Sequence, residues 1–170
     1  MKIEQTKRII FGSMLAVVGL FVNSSGVANS QGSNPTVMFE NVTLSPNFQP
    51  DPLILRGLSG GPVRTQDIAG RAETPTGRCI GYVDEKPDHT LTLTEFFNHL
   101  SLTVKSNEDT VIVVRGPGGS WCNDDLIDTN PGIIGQWLSG KYEIWVGSYE
   151  PNNYHPYIIE ITARRSSENR

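Results

Sequence analysis

The sequence has few of the residues on which catalytic and metal sites most often depend. It contains three histidines and two cysteines in 170 residues, and no zinc-site spacing links a histidine to either cysteine. It also lacks a basic run between its two ends. Over the whole chain, 14 Lys and Arg residues are outnumbered by 18 Asp and Glu residues, for a net charge of −4. This charge pattern excludes the usual electrostatic footprint of nucleic-acid binding, so we expect no nucleic-acid partner.

Sustained helical periodicity is the second absence. Apolar residues occur instead in short runs with a period of two, as in Leu100, Leu102 and Val104, and Thr110–Arg115 is a nearly continuous β-branched run of the kind found in buried central strands. The 17 glycines and 11 prolines supply frequent turns. These features predict an all-β fold, an antiparallel β-sandwich of about eight strands with a jelly-roll or immunoglobulin-like arrangement.

The N-terminal residues follow the order of features that is typical of a secretory signal peptide. Two basic residues precede an apolar run at 9–22, and Gly26 and Ala28 occupy the −3 and −1 positions of a cleavage site. We therefore interpret residues 1–28 as a signal peptide, with cleavage after Ser30 as an alternative. A membrane anchor is the other interpretation, although the run is short for a span of about 20 residues. No other segment is apolar enough to cross a membrane, so we expect a periplasmic or secreted protein.

The chain after the signal peptide divides into a leader, one domain and a tail. Residues 29–35 are polar and predict a flexible leader, and residues 166–170 predict a frayed tail. The residues between them are sufficient for one domain. We therefore expect a single β-sandwich over residues 36–165.

Two cysteines, Cys79 and Cys122, follow the signal peptide. In an oxidising compartment an even pair of cysteines most simply forms one disulfide. We predict a disulfide between these two residues, with two reduced and buried cysteines as the alternative.

The segment GLSGGP at 57–62 is similar to the signature around the nucleophile of chymotrypsin-like proteases, with Leu58 in place of the acidic residue. Catalysis by such a serine requires a histidine base and an aspartate that orients it. In that family both residues precede the serine, whereas all three histidines of this chain follow Ser59. A glycine-rich turn is therefore the better interpretation.

Three segments together resemble a known family. They are DTVIVVRGPGGSWCNDD at 109–125, GKYEIWVGSY at 140–149 and PYIIEIT at 156–162. They look like the bacterial pre-peptidase C-terminal domain, in the form that occurs alone in secreted bacterial proteins, and the likeness covers about residues 78–163. The resemblance implies an accessory module that is not a catalyst. Members of the family aid secretion, dock on polymeric substrates, or bind calcium that stiffens the sandwich.

The predicted metal site is a loop rich in Asn and Asp. Five carboxylate or amide side chains lie within eight residues, namely Asn123, Asp124, Asp125, Asp128 and Asn130. Calcium takes about six to eight hard oxygen ligands in a flexible cage, which such a loop can supply. The spacing is not that of an EF-hand, and Asx turns with solvated carboxylates are the alternative.

The predicted ligand-binding residues are aromatic. Trp121, Trp145 and Tyr149, with Trp137 and Tyr154 nearby in the sequence, would form an exposed platform that stacks on sugar rings or on a peptide. The alternative is packing between the sheets, which is common for Trp in β-sandwiches and which we favour.

Three residues have a claim to acid–base chemistry: Asp88, His89 and His155. The sequence identifies no nucleophile to act with them, so we assign no catalytic residue. Asp84 and Glu85 share a turn with Asp88, and these three carboxylates have a weaker claim as further calcium ligands.

Together these patterns predict a secreted, non-catalytic β-sandwich that serves as a binding or accessory module, with calcium as the candidate cofactor. Its expected partner is an extracellular polymer or an envelope protein. Two other functions stay open, a hydrolase or hydrolase inhibitor acting outside the cytoplasm and a structural component of the cell envelope. Reaction of Ser59 with a fluorophosphonate probe would indicate the first, and co-sedimentation with cell wall or outer membrane would indicate the second.

Overall fold

The computed structural model describes residues 38–165. The predicted signal peptide at 1–28, the leader at 29–35 and the tail at 166–170 lie outside the described residues and stay predictions. Within residues 38–165, no helix is long and apolar enough to cross a membrane.

The described chain consists mainly of strands, with one short helix. In chain order the elements are β1 (Val42–Leu44), β2 (Leu53–Leu58), β3 (Val63–Arg64), α1 (Thr65–Ala69), β4 (Glu73–Thr74), β5 (Gly77–Arg78), β6 (Tyr82–Val83), β7 (His89–Leu93), β8 (Phe97–Lys105), β9 (Thr110–Gly116), β10 (Gly119–Asn123), β11 (Gly132–Trp137), β12 (Gly140–Ser148) and β13 (Pro156–Thr162). Eight of these strands have five residues or more. The other strands have two or three residues each.

Two sheets form the sandwich. In the larger sheet the neighbours are β1, β7, β12, β9 and β10, and β6 joins β3 to the end of β12. The smaller sheet has the order β11–β8–β13–β2. In both sheets every described pair is antiparallel except β1 with β7. The predicted antiparallel β-sandwich is therefore confirmed.

Alternating side chains from both sheets fill the space between them. On β12, Tyr142, Ile144 and Val146 point into this core, and on β13 Ile159 and Ile161 do the same. Each side chain of this kind contributes about 1.5–3 kcal/mol when it leaves water, so the two sheets are held together mainly by this layer. The period of two in the sequence follows from this arrangement, because successive residues of a strand point to opposite faces.

A second, smaller apolar cluster covers the outer face of the larger sheet. Val113 of β9 and Trp145 of β12 pack there against Ala69 of α1 and Val83 of β6. Because apolar side chains lie on both faces of β9, residues 111–114 are buried without interruption. This explains the continuous β-branched run of that strand.

Cys79 and Cys122 form the predicted disulfide. It joins the segment that covers the outer face to β10, where Cys122 lies opposite Val113 of β9. Cys122 is therefore a strand residue, and the Asp-rich loop begins only after Asn123. A disulfide of this kind is compatible with an oxidising compartment outside the cytoplasm.

Candidate functional site

The predicted ligand-binding aromatic residues lie at different levels along β12. The ring of Trp121 packs beside Tyr142 near the beginning of the strand, with 6.3 Å between ring centroids, whereas Tyr149 directly follows the end of the strand. At about 3.3 Å per strand residue, Tyr142 and Tyr149 are roughly 23 Å apart. The structure therefore does not bring Trp121 and Tyr149 together in one platform.

Trp121 belongs to a cluster of rings that closes one end of the core. Its centroid lies 6.4 Å from that of Trp137, and Trp137 in turn lies edge-on to Tyr142 at 4.9 Å. The Trp137 Nε1–H donates to the carbonyl oxygen of Leu100 at 3.1 Å. Trp121 is half-buried against this cluster, which agrees with packing as the favoured interpretation.

Trp145 is 1% exposed, which contradicts a role in an exposed platform. It points away from the main core, as the alternation of β12 requires, but the outer face on which it lies is covered by α1 and the disulfide. The guanidinium of Arg115 lies 5.1 Å above the ring and pairs with Glu143 at 2.8 Å. Of the three predicted residues, Tyr149 alone is largely exposed, at 59%.

The two asparagines of the predicted metal site hold the loop in place. Asn123 Oδ1 accepts the backbone N–H of Gly132 at 2.9 Å, and Asn123 Nδ2 donates to the carbonyl oxygen of Thr76 at 3.0 Å. Asn130 Oδ1 accepts the backbone N–H of Ser106 at 2.9 Å. These side chains anchor the ends of the loop to its neighbours, as Asn side chains in loops often do.

A further carboxylate, Asp109, lies close to this loop. It precedes β9, where the Thr110 N–H donates to the carbonyl oxygen of Thr129 at 3.4 Å. Burial raises the pKa of Asp109, and the negative charges of Asp125 and Asp124 raise it further. Within residues 38–165, however, no three Asp, Glu, His or Cys side chains are close enough to hold a metal ion. The calcium site stays a prediction.

Ser59, in the segment that is similar to the protease signature, is fully buried. Its Oγ lies 2.8 Å from the Oγ of Ser148 and accepts the backbone N–H of His155 at 3.2 Å. The hydroxyl therefore bonds to another serine and to a backbone amide, and it joins the end of β2 to the end of β12.

The two glycines after Ser59 are required by the backbone. Gly60 and Gly61 have φ values of 105° and 144°, and a Cβ on Gly60 would collide with the carbonyl oxygen of Asn153. The Gly60 N–H donates to the carbonyl oxygen of Val146 at 3.1 Å, and the Asn152 N–H donates to that of Gly61 at 3.0 Å. Gly57 and Leu58 belong to β2, and the glycine-rich connection that follows, residues 59–62, is fixed to both β12 and the β12–β13 loop; we call this connection the glycine-rich turn.

Asp88, at the entry to β7, is 7% exposed. Its Oδ2 accepts the backbone N–H of Val146 at 2.7 Å. Burial raises the pKa of Asp88 to about 7, the hydrogen bond from Val146 opposes this shift, and the negative charge of Asp84 adds to it. A carboxyl group with such a pKa changes charge near neutral pH, which an aspartate in water does not.

His89 points the other way and is bonded at both ring nitrogens. Nδ1 lies 2.9 Å from the carbonyl oxygen of Glu40, and because a carbonyl oxygen only accepts, Nδ1 carries the proton. Nε2 therefore accepts the O–H of Tyr157 at 2.9 Å. Burial lowers the pKa of His89, and burial followed by the charge of Asp88 raises the pKa of Tyr157. This imidazole is a neutral structural bridge between the chain before β1 and β13.

A cleft of about 510 Å³ opens beside this buried group. Its walls come from the β6–β7 turn, the glycine-rich turn and the β12–β13 loop. It is lined by the carboxyl groups of Asp84 and Asp88, by Lys86, and by the rings of Phe39 and Tyr154. We call it the Asp88 cleft. The segments that carry its aromatic and charged side chains are held in place by the hydrogen bonds of Ser59 and Asp88.

Sequence reasoning identified only part of this cleft. Asp88 and His89 stand out as adjacent ionisable residues just before the alternating run at 90–94. Tyr154 is one of the aromatic residues that the sequence singles out, but nothing in the sequence distinguishes Phe39 or Tyr157. Their neighbourhood depends on pairing between strands far apart in the chain, and no local pattern records it.

No family model matches the sequence. An uncharacterized protein of Synechococcus elongatus is 26% identical over 161 residues, which are 92% of this chain and 99% of that protein. Among solved structures, the pre-peptidase C-terminal domain of collagenase from Bacillus anthracis is similar with a TM-score of 0.42 and 9% identity, over 72% of this chain and 94% of that domain. The family resemblance drawn from the sequence stays a prediction, and the β-sandwich rests on the strand pairing.

Proposed function

We propose that this protein is an exported, non-catalytic binding module of the pre-peptidase C-terminal type, and that it holds an extracellular polymer at the Asp88 cleft. The observation that carries the proposal is the cleft itself, in which two exposed rings and the buried carboxyl group of Asp88 line one concave surface. Concave sites with a few convergent polar groups are the usual place for ligands.

The bonding of the candidate catalytic residues supports a non-catalytic role. Ser59 is buried against Ser148, and both ring nitrogens of His89 form hydrogen bonds, one to the carbonyl oxygen of Glu40 and one to the hydroxyl of Tyr157. A nucleophile and its base must lie within hydrogen-bond reach of each other, and here each is bonded to other groups. The alternative of a hydrolase is therefore the weaker proposal.

The exposed aromatic residues near the cleft support polymer binding. Tyr154 lines the cleft and is 49% exposed, and Tyr149 begins the same loop. Tyrosine offers a large, rigid face for stacking on sugar rings or peptide together with a hydroxyl for hydrogen bonding. A loop that is tied at Asn152 to the glycine-rich turn presents these rings with little loss of entropy on binding.

Export is supported by the disulfide. Cys79 and Cys122 are joined, and such bonds persist mainly in oxidising compartments. Together with the predicted signal peptide at 1–28, this favours a periplasmic or secreted location.

The proposal is tested by co-sedimentation of the chain after the predicted signal peptide with insoluble chitin, cellulose, peptidoglycan and collagen. We expect retention on one of them, and we expect Tyr154→Ala to lose most of it. The matched control is Phe96→Ala, because Phe96 is also 49% exposed but lies in the turn after β7, near the beginning of β12. Retention on none of these polymers, or equal loss in both variants, would show that the proposal is wrong.

A second proposal concerns calcium at the Asp-rich loop. It is supported by the mutual repulsion of Asp109, Asp125 and Asp124, which a bound cation would relieve. We expect calcium at millimolar concentration to raise the melting temperature above that measured in chelator, and the double variant Asp124→Asn, Asp125→Asn to abolish the difference. Asp67→Asn, on the exposed side of α1, is the control. Equal melting temperatures in calcium and in chelator would contradict this proposal.

A further inference from the structure

We infer that the Asp88 cleft binds an organic cation, an ammonium or guanidinium group on an apolar stem, with Asp88 as the counter-ion. The inference rests on the proposed function, because it names the chemical group that the same cleft recognises. The inference makes the proposed function more specific, since the module would then recognise a positively charged group on its ligand.

The first observation is the incomplete bonding of Asp88. The side chain is 7% exposed, and Oδ2 is used by the Val146 N–H at 2.7 Å. Within residues 38–165, Oδ1 has no hydrogen-bond partner, and it is not sealed from the cleft surface that Asp88 lines. A carboxylate in such a position is costly unless a partner supplies charge or a hydrogen bond. The oxygen without a partner thus belongs to a side chain that lines the cleft.

The second observation is the surrounding charge. Asp84 and Glu85 add carboxylates to the same wall, and Lys86 is the basic residue among the lining side chains. None of the ion pairs formed within residues 38–165 involves Asp88 or Lys86. His89 and Tyr157 add no charge, since the His89 ring donates to the carbonyl oxygen of Glu40 and accepts the O–H of Tyr157. Burial and the negative charge of Asp84 raise the pKa of Asp88, and within residues 38–165 no ion pair with a basic side chain opposes this shift.

The third observation is the apolar and aromatic wall, which favours an organic cation over a metal ion. Phe39 and Tyr154 line the same cleft as the carboxylates, and Pro62 adds apolar surface. Ammonium and guanidinium groups bind between carboxylates and aromatic faces, where a stem of methylene groups also finds contact. A metal ion needs several hard oxygens at once, and no three carboxylates within residues 38–165 are close enough to provide them.

The test follows the backbone amide of Val146 by NMR, because its N–H donates to Asp88. The probes are Nα-acetyl-lysine methylamide and Nα-acetyl-arginine methylamide for a protein side chain, cadaverine for a free amine, and Nα-acetyl-norleucine methylamide as the neutral match. We expect a saturable shift with at least one cationic probe and none with the neutral one. A response to cadaverine alone assigns a free amine as the source, and a response to the amino-acid probes assigns a polypeptide side chain.

Variants identify the counter-ion. Asp88→Asn keeps an oxygen for the Val146 N–H but removes the charge, so we expect binding weakened about tenfold, as for loss of one charge-assisted hydrogen bond. Lys86→Gln removes the competing cation from the wall and should strengthen binding. Asp67→Asn on α1 changes the net charge equally and should leave binding unaltered. The Lys86 variant keeps the test informative even if Asp88→Asn folds poorly.

The inference is overturned by an equal response to the neutral probe, by unchanged affinity in Asp88→Asn, or by a response of Val146 to calcium and to no organic cation. Polymer retention that depends on Tyr154, without any response to the cationic probes, would overturn the inference and leave the proposed function intact. A response to the probes without polymer retention would support the inference and contradict polymer binding.

Discussion

At the scale of single residues, Asp88 shows how a fold sets the chemistry of a side chain. Its position at the entry to β7 places the carboxyl group beside β12, where the Val146 N–H bonds one oxygen. That bond favours the charged form, but the removal of the group from water outweighs it and raises the pKa to about 7. The charge of the Asp88 carboxyl group therefore changes with pH near neutrality.

This predicts a pH dependence of stability that belongs to Asp88. The folded state holds the proton more tightly than the unfolded state, so the free energy of unfolding falls as pH rises from 3.8 through about 7. The loss is at most about 4 kcal/mol, and Asp88→Asn should lack this part of it. Urea unfolding across this pH range measures the difference, with Asp67→Asn as the control. The same slope in Asp88→Asn and in the wild type would contradict the assignment.

Trp145 gives the second prediction at this scale. Because the ring is enclosed between β9, α1 and the disulfide, Trp145→Ala should lower the free energy of unfolding by about 3–5 kcal/mol. Trp145→Phe should cost less, since Nε1 has no hydrogen-bond partner within residues 38–165. Tyr149→Ala, at an exposed position, should stay within about 0.5 kcal/mol of the wild type. Denaturant titration measures the free energy of unfolding of each variant. A decrease for Tyr149→Ala as large as that for Trp145→Ala would contradict the burial of Trp145.

At the scale of elements, the Asp-rich loop is defined by its two anchors more than by its acidic residues. Asn123 bonds both the start of β11 and the turn between β4 and β5, while Asn130 holds the turn after β8. Between these anchors the carboxylates extend toward Asp109, where they repel one another. The loop is thus an acidic surface that is fixed at both ends.

We predict that Asn123→Ala weakens this element. The substitution leaves the buried Gly132 N–H without its partner, and an unpaired buried donor costs about 1–3 kcal/mol. Thr129→Ala, which removes an exposed side chain from the same loop, should have almost no effect. Hydrogen exchange at the Gly132 amide, together with denaturant unfolding, provides the measurement. Unchanged protection of that amide in Asn123→Ala would contradict the anchor.

At the scale of the whole molecule, the sandwich could be predicted from sequence because strand alternation is a local property. The runs at Leu100–Val104 and Tyr142–Val146 record which residues face the core, and the structure agrees. The pairing of Cys79 with Cys122 followed from there being no other candidate. Fold class and disulfide were therefore within reach of simple rules.

The cover on the outer face and the Asp88 cleft were not within reach of such rules. Residues 62–77 look like a polar surface loop, yet α1 and its neighbours bury Trp145 beneath them. The alternation of residues along β12 shows only that Trp145 points away from the main core. What covers the outer face of the larger sheet depends on contacts between distant segments. For the same reason, the sequence does not predict that Phe39, Asp88 and Tyr154 line one cleft.

The disulfide should contribute to the stability of the whole domain. Its cysteines are separated by 43 residues, and closing a loop of this length contributes roughly 4 kcal/mol by restricting the unfolded chain. The double variant Cys79→Ser, Cys122→Ser should lose about this amount, measured by urea unfolding against the oxidised wild type. Two titratable thiols in the folded, oxidised protein would contradict the bond.

The most direct test of the central claim is to map the binding surface by backbone amide shifts, using a soluble fragment of whichever polymer retains the protein. The account predicts that the shifts concentrate in the glycine-rich turn at 60–62, the β6–β7 turn at 84–88 and the β12–β13 loop at 150–154, which line the Asp88 cleft. Shifts confined to the opposite end of the sandwich, around Phe96 and Trp121, would contradict it.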